Sequence, residues 1–219
     1  MTRELALNYL EQFIAGNVSY ADSNFQSAIT FLANNYGGKI TKYNFIINGC
    51  SADRYDDLIK AFSYFWGMKF ASYGYFYDNN YIKAILAVES KMGTIAGSRY
   101  GTTDVMQCLD GDNPAVYCMA KIQPANSIGY DPFEGSAYGL KNGFKALKNI
   151  FTNQTKGSPI PSYYNPTLSI CFGILWLGFK TARAGNIRTG VNNYNGGGDS
   201  KYLEKVDAIL TNPQNIFTI

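Results

Sequence analysis

The chain has 219 residues, 46% of them hydrophobic and 16% charged, which is enough apolar material for a packed core and too much for general disorder. Its net charge of +3 is spread without a basic block, which argues against a dedicated nucleic-acid binder. Histidine is absent, so histidine-based triads, histidine-ligated zinc and imidazole acid–base pairs are excluded.

The chain opens "MTRELALNYLEQF", where charges and Asn interrupt any secretory leader pattern. Residues 2–15 read as a helix with Leu5, Tyr9, Leu10 and Phe13 or Ile14 on one stripe. A clearer helix spans 23–36. Ser23 with Gln26 forms a capping box, Phe25, Ala28, Ile29, Leu32 and Tyr36 follow at core spacing, and Gly37-Gly38 ends it. "KYNFIING", residues 42–49, is the one modest strand candidate. A third helix from Ser51 to about Trp66 turns Tyr55, Leu58, Ile59, Phe62 and Phe65 or Trp66 inward.

The turn-rich, aromatic "SYGYFYDNNY" (72–81) joins this helical part to a helix over 81–91. A Gly-, Ser- and Thr-rich loop runs from there to about Gln107, and "DGDNP" (110–114) is a turn. A helix from about Phe133 to Ile150 carries Leu140, Phe144, Leu147 and Ile150, and the loop over 152–166 holds three of the seven prolines. The longest apolar run, "LSICFGILWLGF" (168–179), has 12 residues, too few to span a membrane, and reads as a buried helix over 167–180. A shorter helical piece leads to "NNYNGGGD", and Ser200 starts a final helix through "KYLEKVDAIL". With no internal repeat and no long alternating run, the chain is expected to be mainly α.

None of the four cysteines, Cys50, Cys108, Cys118 and Cys171, forms a Cys-x-x-Cys pair, so a zinc ribbon or thioredoxin-like site is not expected. Cys108 and Cys118 have a spacing that permits a bridge in an oxidising compartment; the alternative is four free, mostly buried thiols. "ANNYGGKIT" fails as a phosphate loop, having Ala33 in place of the first Gly and Ile40 after the Lys. There is no G-x-S-x-G elbow, and the acids of "DGDN" lack the closing Glu of a calcium loop.

One residue is out of place for a bland helix. Glu89, in "YIKAILAVESKMG", stands seven residues after Ile82, four after Ile85 and three after Leu86, on the oily face of its helix. A carboxylate on a buried face is unfavourable unless it is paired or protonated. Burial against these neighbours is expected to raise its proton affinity, which suits a general acid near neutral pH. Around it the sequence offers hydroxyl and amide side chains, and eighteen tyrosines with two tryptophans for stacking on sugar faces.

The stretch resembles the catalytic domain of soluble lytic transglycosylases and goose-type lysozymes. That family has Glu-Ser at a helix end, followed by Ser-x-x-Gly-x-x-Gly-Leu-Met-Gln. The matching residues are Glu89-Ser90, Ser98, Gly101 and Val105-Met106-Gln107, with separations of 18 from Glu89 to Gln107 and 9 from Ser98 to Gln107 that equal the family spacing. Two further blocks follow in order. Gly139-Leu140-x-x-Gly143-x-x-Ala146-Leu147 is similar to the family's Asn-Ile-x-x-Gly-x-x-Tyr-Leu helix, and Asn193-Tyr194-Asn195-Gly196-Gly197 to its Ala-Tyr-Asn-Ala-Gly turn. Asp104 replaces the glycine before Val-Met-Gln, the stretch from Leu147 to Tyr194 is long enough to hold an insertion, and residues 1–75 match no family pattern.

The resemblance, which covers about residues 78–210, implies a lysozyme-like catalytic domain over 76–219 behind an N-terminal helical region, 1–75, of unassigned role. It implies cleavage of the β-1,4 bond between N-acetylmuramic acid and N-acetylglucosamine in peptidoglycan glycan strands, with no cofactor and no metal. Glu89 would be the general acid and base. Ser98, Gln107 and Asn195 would hydrogen-bond the sugars, Tyr194 would line the site, and Met106 would pack against a sugar ring. A transglycosylase needs one carboxylate and closes a 1,6-anhydro ring, whereas a lysozyme hydrolyses, in which case Asp104 or Asp110 would be the second carboxylate. A non-catalytic glycan-binding protein of the same fold is the third expectation. A wall enzyme without an export leader or a transmembrane segment fits a phage endolysin or virion-associated lysin.

Overall fold

Which residues of an apolar stripe are buried depends on the neighbours that cover them. The computed structural model describes residues 1–14, 17–71, 77–95, 102–108 and 165–219, and these are mainly α-helical. Helix α1, Arg3–Ile14, buries Ala6, Leu10, Phe13 and Ile14 against α2, Ser23–Asn35. The buried stripe is turned from the expected one: Leu5 is 47% exposed, and Ala6 takes its place one turn before Leu10. Helix α2 buries Phe25, Ala28, Ile29 and Leu32, and Phe25 stacks on Phe13 with ring centroids 4.6 Å apart. Its cap is Asp22, whose carboxylate accepts from Asn24 N and Phe25 N, while the Gln26 side chain reaches back to the Tyr20 carbonyl. The expected Ser23 box is thus displaced by one residue, in favour of a charged cap that complements the helix dipole.

The strand candidate is half of a hairpin. Strand β1, Ile46–Ile47, pairs antiparallel with β2, Cys50–Ser51, in the register Ile46↔Ser51 and Ile47↔Cys50. The two residues between them, Asn48 and Gly49, have φ of 47° and 80°, the mirror-image turn that Asn-Gly favours. Because the hairpin takes Ser51, helix α3 begins later than its apolar spacing suggests and spans Asp56–Phe70. Its buried face of Ile59, Phe62, Phe65, Trp66 and Phe70 packs on α2 and on the long helix Pro166–Ala184.

Helix α4, Asn79–Ser90, is capped by Asp78 and ends at Lys91, which is left-handed. Helix α5, Pro166–Ala184, starts with Asn165 as cap and Pro166 in its first turn, and stops at Gly185, with φ of 74°. It is the buried helix that the apolar run implies: Ile170, Ile174, Leu175 and Leu177 are fully buried, each worth roughly 1.5–3 kcal/mol. Among the described residues no helix is long and apolar enough to cross a membrane. Helix α6, Ile187–Asn192, folds back on α5. Helix α7, Tyr202–Thr211, packs on α4, and a 3-10 turn, Pro213–Phe217, follows.

Residues from both sides of position 75 share one hydrophobic core, and Trp66 Nε1 on α3 donates to the Cys171 carbonyl on α5 at 2.8 Å. The start of α3 and the residues before it are tied to α4 by charge. Lys83 is fully buried, with its ammonium 2.5 Å from Asp53 Oδ1, 2.7 Å from Asp56 Oδ1 and 4.1 Å from the centroid of the Tyr43 ring. Cys108 is a buried thiol that donates to the Ser169 carbonyl, and Cys171 is buried as a free thiol as well. Cys118 and the expected helix over Phe133 to Ile150 lie outside the described residues.

Candidate active site

Glu89 sits in the last turn of α4, with Ile82, Ile85 and Leu86 fully buried along the same face. The N-terminus of α7 brings Tyr202 to it, and the Tyr202 hydroxyl donates to Glu89 Oε1 at 2.6 Å. The Tyr202 ring, 2% exposed, lies nearly parallel to that of Tyr194, with centroids 6.3 Å apart. Tyr194 is held at both ends: its hydroxyl donates to the Met106 carbonyl at 2.9 Å, and its own carbonyl accepts from Trp176 Nε1 at 3.1 Å. The end of α4, the segment 104–108, the turn after α6 and the start of α7 therefore meet around one carboxyl group.

That carboxyl holds its proton unusually well. Burial pushes it up, the Tyr202 hydrogen bond lowers it, the charges of Asp104 and Asp199 raise it and Lys205 lowers it, for a net value of about 7. The raised proton affinity agrees with the apolar stripe in the sequence. Burial and the neighbouring Glu89 push the Tyr202 phenol well above its usual range, so it stays a donor at physiological pH.

Asp104 is fully buried, and its Oδ1 accepts from Ser169 Oγ at 2.7 Å and from Cys108 N at 3.0 Å. It stands where the resembled family has glycine and ties the 104–108 turn to α5. Sealed from solvent, it acts on Glu89 through its field and is not placed to activate a water. Met106 is also fully buried: a Cβ on Gly173 of α5 would fall 2.6 Å from Met106 Cβ. Its side chain is therefore core, not a platform for a sugar ring.

Gln107 is partly buried with φ of 50°, and its Nε2 donates to the Asp104 carbonyl at 2.8 Å. Asn195 is partly buried and uses its Oδ1 to accept from Asp199 N at 3.0 Å. Its side-chain NH2 makes no hydrogen bond among the described residues. Outside the same turn, Lys180, Arg183, Ala184, Asn193, Gly196 and Gly197 line a cleft of about 370 Å³. Ser98 and Asp110 lie outside the described residues.

Three residues at the site have no counterpart among the sequence candidates. Tyr202 had only the signal of a core residue, since it forms a stripe with Val206 and Ile209. Asp199 and Lys205 had none. Asp199 is held below its usual range by the Lys205 ammonium, at 2.7 Å, and by the Lys201 amide. Among the described residues no cluster of Cys, Asp or Glu side chains is arranged to hold a metal ion. A half-buried acid that is half-protonated near neutrality, fixed by a phenol, can give and then take one proton. No family model matches the chain, and neither does any curated protein or solved structure.

Proposed function

We propose that the protein is a peptidoglycan lytic transglycosylase with a lysozyme-like catalytic domain, and that Glu89 is its single acid–base residue. One observation carries the reading: a carboxyl half-buried in the last turn of α4, bound by Tyr202 and holding its proton up to about pH 7. In the protonated form Glu89 delivers its proton to the glycosidic oxygen between N-acetylmuramic acid and N-acetylglucosamine. The substrate's own N-acetyl group then stabilises the cationic sugar, as the family resemblance implies. The Glu89 carboxylate next takes the proton of the sugar's 6-hydroxyl, which closes the 1,6-anhydro ring and restores the acid. Tyr202 donates to the carboxylate while it is charged, which steadies it between the two transfers. Gln107 and Asn195, with Ser98, are the sugar-binding residues in this reading.

The burial of Asp104 supports a one-carboxylate mechanism, because hydrolysis by inversion needs a second, water-facing acid. The second reading, a muramidase, is favoured by Asp199. This acid is partly exposed, is held ionised by Lys205 and lies close enough to raise Glu89. Mass spectrometry of digested cell walls separates the two: anhydro-muramic ends are expected, and reducing ends alone would replace the first reading with the second. A Glu89→Gln protein that cleared walls at the wild-type rate would remove both.

A further inference from the structure

The backbone directly behind Glu89 is strained. Lys91, Met92 and Gly93 are left-handed in succession, with φ of 46°, 60° and 71°, and only the last is a glycine. Side chains with a Cβ avoid this region, and such runs persist only where the surroundings hold them. Part of the hold is local: Ser90 Oγ accepts from Gly93 N at 2.8 Å and donates to the Leu86 carbonyl at 3.1 Å. The rest comes from residues that precede α3. One guanidinium nitrogen of Arg54 donates to the Met92 carbonyl at 2.5 Å and to the Gly93 carbonyl at 2.9 Å. The same guanidinium lies 4.6 Å from the centroid of the Tyr55 ring, and Asn48 Nδ2 donates to the Thr94 carbonyl at 3.2 Å.

The far side of this turn touches the site. A Cβ on Gly93 would fall 2.7 Å from Val105 Cγ1, so the turn lies against the segment that carries Asp104. We propose that Arg54 is a positioning residue for Glu89: it clamps the left-handed turn 91–93, and through Val105 the turn sets the 104–108 segment against the end of α4. This gives the otherwise unassigned N-terminal region a part in the site. The inference rests on Glu89 as the reactive group, but its geometry stands whatever the reaction. The groups facing Glu89 are Asp104 and Cys108 from that segment, Tyr194 from the turn after α6, and Asp199, Tyr202 and Lys205 at α7. Of these, the clamp bears on Asp104 and Cys108, while the others are held from α5 and α7.

The test uses the full chain with Arg54→Ala and Arg54→Lys. Arg54 is exposed, so both are expected to fold, as circular dichroism and thermal melting would show. Released from the clamp, the segment withdraws Asp104 and water gains further access to Glu89. The expected result for Arg54→Ala is a roughly tenfold to hundredfold loss of kcat on cell walls, with KM changed less than about twofold. The alkaline limb of the pH profile moves to lower pH, and so does the Glu89 titration followed by carboxyl NMR. Arg54→Lys, which offers a point charge in place of a planar fork, falls between the two. Adding Lys91→Gly to Arg54→Ala removes part of the left-handed strain and is expected to recover much of the loss. An Arg54→Ala protein with an unmoved Glu89 titration, or one that loses activity only in proportion to its folded fraction, overturns the proposal. The NMR titration needs no turnover, so it decides the clamp even if Glu89→Gln shows that the proposed reaction is wrong.

Discussion

Helix α4 carries two ionisable groups six residues apart, Lys83 fully buried and Glu89 half-buried, and they are treated oppositely. Lys83 has two carboxylates and the Thr41 carbonyl within hydrogen-bonding distance, and its charge is neutralised where it stands. Among the described residues no cation is bonded to Glu89; its one described hydrogen bond comes from the neutral Tyr202 phenol. The Asp53 carboxylate opposite Lys83 is pushed up by burial, but the Lys83 ammonium and the amides of Tyr43 and Asn44 outweigh this and hold it below its usual range. Desolvation with no cation in contact among the described residues takes Glu89 to about 7. Burial alone therefore does not make a charge functional. An opposite charge in contact makes it a fixture, and a neutral donor leaves its proton free to move.

The largest way to break this comparison is Glu89→Gln. We expect wall cleavage to fall by roughly a hundredfold to ten-thousandfold, measured as turbidity loss of a wall suspension, with the fold intact. The same variant tests linkage. The folded pKa of about 7 lies above the ordinary 4.5, so the proton's stabilisation is fully present below pH 4.5 and is lost as pH rises through 7. That loss is at most about 3 kcal/mol, and denaturant melts of Glu89→Gln should show a flatter dependence across this window.

Lys83→Met attacks the other end of the helix. It leaves Asp53 and the buried Asp56 with one fewer cation, and a loss of about 3–5 kcal/mol in unfolding free energy is expected. Melts within about 1 kcal/mol of wild type would show that the network is no more than a surface pair.

Gly93→Ala places a methyl in a left-handed residue and within 3 Å of both Val105 Cγ1 and an Arg54 guanidinium nitrogen. A destabilisation of about 2–4 kcal/mol is expected from strain and overpacking together. Tyr202→Phe is the smallest and sharpest change. Removing the hydroxyl removes a bond that lowers the Glu89 pKa, so the alkaline limb of activity should move to higher pH. A limb that moves down, or stays put, would show that Tyr202 is not the group that tunes the acid.

Much of this was legible before any coordinates. Residues 23–36 announced helix α2 by apolar spacing and by the Gly37-Gly38 stop, 167–180 announced α5 by an apolar run, and the spacing of Ile82, Ile85 and Leu86 announced that Glu89 would lie on the oily face of α4. The Asn48-Gly49 pair was a hairpin signal that the strand reading passed over, because strands of two residues leave no alternation to see. Met106 stood within the family-like run, yet it packs into the core against Gly173, and a motif match cannot tell a side chain that faces sugar from one that faces a helix.

The sequence by itself determined that the chain would be mainly helical, that α5 would be buried along nearly its whole length and that an acid would sit on the oily side of α4. Those are local facts, set by spacing within one or two turns. Tertiary structure alone decided which distant groups meet that acid: Tyr202, 113 residues away, donates to it, and Asp104, fastened to Ser169 65 residues on, raises it by its field. Proton affinity depends on desolvation and on charges within a few ångströms, and chain packing, not the order of residues along the chain, sets those distances.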